Sequence, residues 1–131
     1  MIVYLDNSFL NRPFDDPELG VNKLEAETLL SIIKLARNGK VNLINSSVIE
    51  YENSVNPFPD RKIFVQEILK QSTSYQNITL QTKNRARIIA KDMGISPIDA
   101  LHLAAGEKAK VDLFITCDYN LIKKYKGNLK I

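Results

Sequence analysis

An α/β fold with a central, mainly parallel sheet is what this sequence predicts, on three observations. Short apolar runs alternate with stretches of helical period, opening β-α-β-α, and parallel neighbours need such helical crossovers. The runs are apolar without alternation, as in strands covered on both faces. The 131 residues suffice for one core but not for two, so residues 1–131 are expected to form a single domain.

Each element has its own signal. Residues 2–5 read as a buried strand ending in Asp6-Asn7-Ser8, a turn or helix start that leaves Asp6 just past the strand's carboxyl end. Asn22 to Glu25 resembles a capping box, and Ala26, Leu29, Leu30, Ile33 and Ala36 recur at helical spacing until Asn38-Gly39 stops the helix. Residues 41–45 are the second strand. Ser46-Ser47 caps a helix carrying Val48, Ile49, Tyr51 and Val55, which Asn56-Pro57 ends. Residues 60–71 give a further helix, and residues 77–80 lead into one capped by Thr82, with Ala86, Ile89, Ala90 and Met93 inward and Gly94 as its stop. Ser96-Pro97 starts a helix that continues through Ala109, residues 112–116 form a buried strand, and Asp118 follows. A last short helix is expected over 121–125 and a terminal edge strand over 129–131.

Composition removes several function classes. With 25% charged residues, five Gly, five Pro and no low-complexity stretch, disordered and collagen-like chains are excluded. One Cys and one His cannot build a structural zinc cage, and Cys117 has no partner for an intrachain disulfide. No basic leader precedes the first strand and no apolar run approaches the roughly 20 residues that span a bilayer, so a reducing cytoplasm is the expected location, with no membrane. Glycine-rich phosphate loops are absent, and a ligand at the sheet's carboxyl edge must therefore be met by side chains.

Acids stand at those strand ends. Asp6 and Asp118 each suit a helix N-cap, and Ser96-Pro97-Ile98-Asp99 matches a capping box. In a parallel sheet, however, both strand-end acids emerge on one edge, where close carboxylates repel by roughly 4 kcal/mol per pair and a divalent cation resolves the repulsion. A wheel at about 100° per residue, with Val48 at zero, puts Glu52 near 40° amid the apolar face and Glu50 near 200° with Asn53 and Ser54. A carboxylate on an apolar face needs a cation or basic partner, which makes Glu52 the stronger metal candidate, with Glu50 the alternative.

These residues resemble the PIN-domain nucleases, which include the VapC-type toxins of toxin-antitoxin pairs. Residues 2–8 are similar to that family's opening strand and first Asp; Ser46 followed by Glu52 is similar to its second-helix motif; residues 99–104 and 114–118 resemble its third and fourth acidic motifs. Asn11-Arg12-Pro13-Phe14-Asp15-Asp16 also resembles a PIN subgroup of uncharacterised proteins, while Asn7 stands where many relatives have Thr and Asn120 where some have Asp. The resemblance implies a three-layer α/β/α sandwich and a Mg²⁺- or Mn²⁺-dependent endoribonuclease, with Asp6, Glu52, Asp99 and Asp118 as metal ligands and catalytic residues. It implies RNA as substrate and an antitoxin protein where the chain is a toxin; a homodimer is one open partner option, the sequence leaving the oligomeric state undisclosed.

Other residues are weighed against bland roles. The hydroxyls of Ser8 and Thr116 flank Asp6 and Asp118 and can support a carboxylate, although turn hydrogen bonds explain them nearly as well. His102, three positions after Asp99, reads as a packed core residue, and Cys117 as a small buried one. Lys83, Arg87 and Lys91 recur every four residues and, with Arg12, are candidate phosphate contacts; setting the four site acids aside leaves 18 basic groups against 11 acidic ones. The rivals are a catalytically inactive PIN-fold module that binds RNA or protein, and a haloacid-dehalogenase-type phosphatase, whose second Asp is replaced here by Ser8.

Overall fold

The computed structural model of the chain describes residues 1–131. Strands β1 (Ile2–Leu5), β2 (Asn42–Ser46), β3 (Ser74–Gln76) and β4 (Leu113–Ile115) form one sheet in the order β3-β2-β1-β4, every pairing parallel, with Tyr4 opposite Ile44 on one side and Phe114 on the other. Around it lie α1 (Asn7–Leu10), a 3₁₀ turn (Arg12–Phe14), α2 (Gly20–Arg37), α3 (Ser47–Ser54), α4 (Pro59–Leu69), α5 (Leu80–Met93), α6 (Pro97–Ala109) and α7 (Tyr119–Lys124). Val3, Tyr4 and Leu5 are all buried; consecutive strand residues point to opposite faces, so helices cover both sides of β1, the three-layer arrangement expected. No helix is long and apolar enough to cross a membrane.

Several elements depart from expectation. Helix α2 starts at Gly20, because the Asn22 side chain is inside the structure, accepting from Arg12 Nη1 (3.0 Å) and donating to the Asp16 carbonyl (3.1 Å), and so is not free to cap. Leu30 faces solvent, on the outer side of that helix. Thr79, whose hydroxyl accepts from the Thr82 amide, caps α5 in place of Thr82, which is buried in the first turn. Strand β3 has no apolar run to announce it: Ser74, Tyr75 and Gln76 form an edge strand through their ladder to β2. The terminal strand over 129–131 does not form, and one backbone bond, from the Phe114 amide to the Lys130 carbonyl (2.8 Å), is all that reaches β4.

Helix α6 is the piece that positions the site. Ala100, His102, Leu103, Ala104, Ala105 and Gly106 are all buried, so it is packed on most of its circumference. A Cβ added at Gly106 would sit 3.2 Å from Leu129 Cδ1 and 3.4 Å from Phe114 Cδ2, so the glycine lets the helix ride close to β4. At the far end Glu107 accepts from Arg85 Nε (2.7 Å) and Nη2 (3.1 Å) and from the Tyr125 hydroxyl (2.6 Å). Burial pushes this carboxyl up, but those hydrogen bonds and the Arg85 charge outweigh it and hold the pKa below its ordinary value.

Candidate metal centre

The chain winds from β1 outward through β2 to β3, then returns to the other side of β1 as β4. That reversal opens a crevice at the carboxyl ends of β1 and β4, the place where parallel sheets bind ligands. Asp6 lies in this crevice, buried, its amide bonded to the Ile115 carbonyl (2.9 Å). Its side chain does not cap α1. Oδ2 instead accepts from Ser8 Oγ and Thr116 Oγ1, each at 2.8 Å. Those hydroxyls are themselves oriented, accepting from the amides of Cys117 and Asp118 (both 3.1 Å). Asp6 Oδ1 is left facing His102 Nε2 at 3.8 Å.

Glu52 reaches the same point from α3. The helix is rotated from its expected phase: Val48, Ile49 and Asn53 are buried, whereas Tyr51 and Val55 are exposed, which centres the buried stripe about 80° from Val48. Glu52, near 40°, still falls within this stripe. Glu50 points away, accepting from Asn45 Nδ2 (3.1 Å). Glu52 Oε1 accepts from His102 Nε2 at 2.8 Å, and His102 Nδ1 lies 2.7 Å from the Tyr4 hydroxyl, itself 2.8 Å from Ser46 Oγ. Ser46 Oγ already accepts from the Ile49 amide, so one order satisfies every group: Ser46 donates to Tyr4, Tyr4 to Nδ1, and Nε2–H to Glu52. Burial raises the Tyr4 pKa well above its ordinary value, which keeps the phenol a donor. His102 is a fully buried, hydrogen-bonded residue, as its apolar neighbours imply, but its partner is a site carboxylate.

Asp99 and Asp118 complete a cleft of about 400 Å³ that Asp6 and Glu52 also line. Only Asp118 caps a helix, its Oδ1 accepting from the Asn120 and Leu121 amides (3.0 and 3.1 Å); α6 is capped by Ser96, whose Oγ donates to Asp99 Oδ2 (2.9 Å). In each case the other carboxylate oxygen has no hydrogen bond. Ligand atoms of Asp6, Glu52 and His102 all lie within 4.8 Å of one another, a cluster that Asp99 and Asp118 border without joining. The Asp99 pKa is raised by burial first, then by the charges of Asp6 and Asp118, against the opposing Ser96 hydrogen bond and His102.

The donor set suits a hard divalent cation. Asp6, Asp15, Glu52, Asp99 and Asp118 put five carboxylates in a cleft that holds only two guanidinium groups, Arg12 and Arg61. Two carboxylates at the Asp6–Glu52 spacing repel by roughly 3 kcal/mol at an effective dielectric of 20. Asn7 adds a buried Oδ1 without a partner on the same wall. An oxygen-rich, partly open site of this kind can hold a divalent cation.

The basic candidates divide. Arg12 lines the cleft but is engaged with Asp15 (3.0 Å), Asn22 (3.0 Å) and Glu25 (3.4 Å). Lys83, Arg87 and Lys91 flank a separate groove of about 610 Å³ floored by Ala86, Ala90, Ile95, Pro97 and Leu101. Burial pushes the Cys117 thiol up to about 11, so it stays protonated and unreactive. The residues that sequence reasoning missed are Arg61 and Phe58 on the cleft wall, which carry no motif, and His102 as partner to Glu52, for which the three-residue spacing from Asp99 was the available signal.

No protein-family model matches the sequence, and no curated protein matches it. Among solved structures, the chain is similar to one in the crystal structure of VapBC2 from Rickettsia felis bound to a DNA fragment from their promoter, with a TM-score of 0.61 at 14% identity over 99% of this chain and 96% of that one. At that identity the likeness speaks for the fold: a four-stranded parallel sheet flanked by helices, of PIN-like form.

Proposed function

We propose that this chain is a Mg²⁺- or Mn²⁺-dependent endoribonuclease of PIN type, one domain acting in the cytoplasm as the toxin of a toxin-antitoxin pair. The observation that carries the reading is buried Asp6, unused as a cap and aimed by two hydroxyls into a five-carboxylate cleft. Likeness to a chain of a VapBC2 complex supports the toxin role. Asp6, Glu52, Asp99 and Asp118 would hold the cation, which supplies activation of water and offsets charge at the attacked RNA phosphate. Ser8 and Thr116 fix the direction of Asp6, and His102 fixes that of Glu52. Arg12 and the Lys83–Arg87–Lys91 stripe are the proposed holders of the RNA backbone. An antitoxin for such a site would carry an Arg into it, since a guanidinium can pair two carboxylate oxygens and stand in for the cation.

The purified protein is expected to cut single-stranded RNA with Mg²⁺ or Mn²⁺ and to stop in EDTA, and Asp99→Asn to lose cutting while its melting curve stays cooperative. Cleavage undiminished in EDTA, or none with either cation, overturns the reading. Within the site, Glu52→Gln is expected to impair cleavage far more than Glu50→Gln, because Glu50 is held by Asn45 outside the cleft. The reverse ranking in a cleavage time course would remove Glu52 from the centre.

A further inference from the structure

The acidic cleft has one apolar wall residue, Phe58, and the surrounding structure holds it there. Phe58 precedes Pro59, which restricts it to extended backbone, and it sits at φ −102°, ψ 107° as the residue before α4. Its amide donates to Asn56 Oδ1 (3.0 Å), and Asn56 Nδ2 in turn donates to Asn11 Oδ1 (3.2 Å), tying the segment back to the end of α1. Phe58 is 55% exposed and lies outside the hydrophobic core, beside five carboxylates.

Arg61, one turn further along α4, lies against it. The guanidinium carbon is 4.8 Å from the Phe58 ring centre and 5.6 Å from that of Phe14. It makes a single hydrogen bond, to the Phe14 carbonyl (3.2 Å), and meets Asp15 only at 3.8 Å. Unlike Arg12, then, it keeps most of its donors unengaged. An open aromatic face backed by a cation with spare donors is how proteins hold an unpaired base and its phosphate.

We infer that Phe58, backed by Arg61, is a nucleobase platform that stacks an unpaired base of single-stranded RNA next to the phosphate presented to the acidic centre. The inference rests on the nucleic-acid reading of the cleft and adds to it how the strand is seated. Every base offers a π-face, so the platform selects unpaired over paired RNA and tolerates sequence. A duplex, with its bases already stacked on each other, cannot use it.

The chain contains no tryptophan, which makes Phe58→Trp a lone fluorescent reporter at this position. The probe is a short fluorescein-labelled single-stranded RNA of mixed sequence, bound with Ca²⁺ in place of Mg²⁺ and followed by anisotropy. Phe58→Ala is expected to weaken binding by roughly tenfold to a hundredfold, the range for loss of one stacked base. Phe58→Leu should do nearly the same, and Phe58→Trp should bind as tightly as Phe58, its emission quenched by an unlabelled single strand and unmoved by a duplex. Phe58→Leu binding as well as Phe58→Trp would reduce the residue to an apolar wall, and an unquenched tryptophan would place the strand elsewhere; either overturns the platform. Failure of the nucleic-acid reading has a different signature: the unsubstituted chain would itself bind no RNA, whereas failure of the platform leaves RNA binding intact and indifferent to position 58.

Discussion

Asp6→Asn is expected to lower Mg²⁺-dependent RNA cleavage on the order of a thousandfold, beyond the ~10- to 100-fold typical when only an outer partner of a ligand is lost. The same change should leave the metal-free protein as stable as before, or more so. Asn keeps a carbonyl oxygen for the Ser8 and Thr116 hydroxyls while removing one charge from a crowded cleft. Asp99 reports that crowding: its pKa is raised by burial and by Asp6 and Asp118, so folding disfavours its charged form relative to the unfolded chain. The sign follows from linkage. A carboxyl raised on folding stabilises the protein at low pH and loses that contribution as pH climbs from its unfolded value through the folded one, so metal-free stability should fall across that window and Mg²⁺ should restore it above. Melting temperatures in EDTA and in Mg²⁺ check this directly. An Asp6→Asn protein still stabilised by Mg²⁺ as strongly as the parent would take Asp6 out of the metal site.

His102→Ala should have the largest effect on stability, about 3–5 kcal/mol, from a cavity in α6 together with a stranded Tyr4 hydroxyl. For a chain of this length that lowers Tm by about 10 °C or more. Loss of cleavage in that variant would by itself be ambiguous, so the informative variant is Tyr4→Phe combined with His102→Leu. Removing both ends of the Tyr4–His102 bond with apolar groups of similar size recovers part of the stability, the remaining cost being the buried Ser46 hydroxyl, which loses Tyr4 as its acceptor. Glu52, however, would still lack the donor that orients it. Recovered folding without recovered cleavage identifies His102 as a positioning residue, and a refolded double variant with parental cleavage would reduce it to packing. His102→Gln, which retains an N–H for Glu52, should restore part of the activity.

What the sequence disclosed followed from pattern. Strand β1, helices α3 and α6, and the strand-end acids were legible because apolar runs and caps are local signals, and parallel order then required the acids to share an edge. Strand β3 was not legible, since Ser74-Tyr75-Gln76 is a strand only because β2 pairs with it. Asn22 was misread because its partner, Arg12, lies ten residues away across a turn. Glu52 was favoured from a helix phase that proved rotated, and it remained inward because the shift moved the stripe's edge without moving past it. The Tyr4–His102–Glu52 chain joins three elements whose spacing no periodicity encodes.

Placing the first strand between β2 and β4 has a consequence for how the protein comes into being. Val3 must find Leu113, and Ser8 must find Thr116, across sequence separations close to the length of the chain. Such high contact order makes closure of the sheet a late event in folding, after local helices and the β1–β2 pairing have formed. During synthesis Thr116, which with Ser8 aligns Asp6, is made 110 residues after it. An emerging chain therefore carries its first carboxylate well before the residues that complete the cleft have been made.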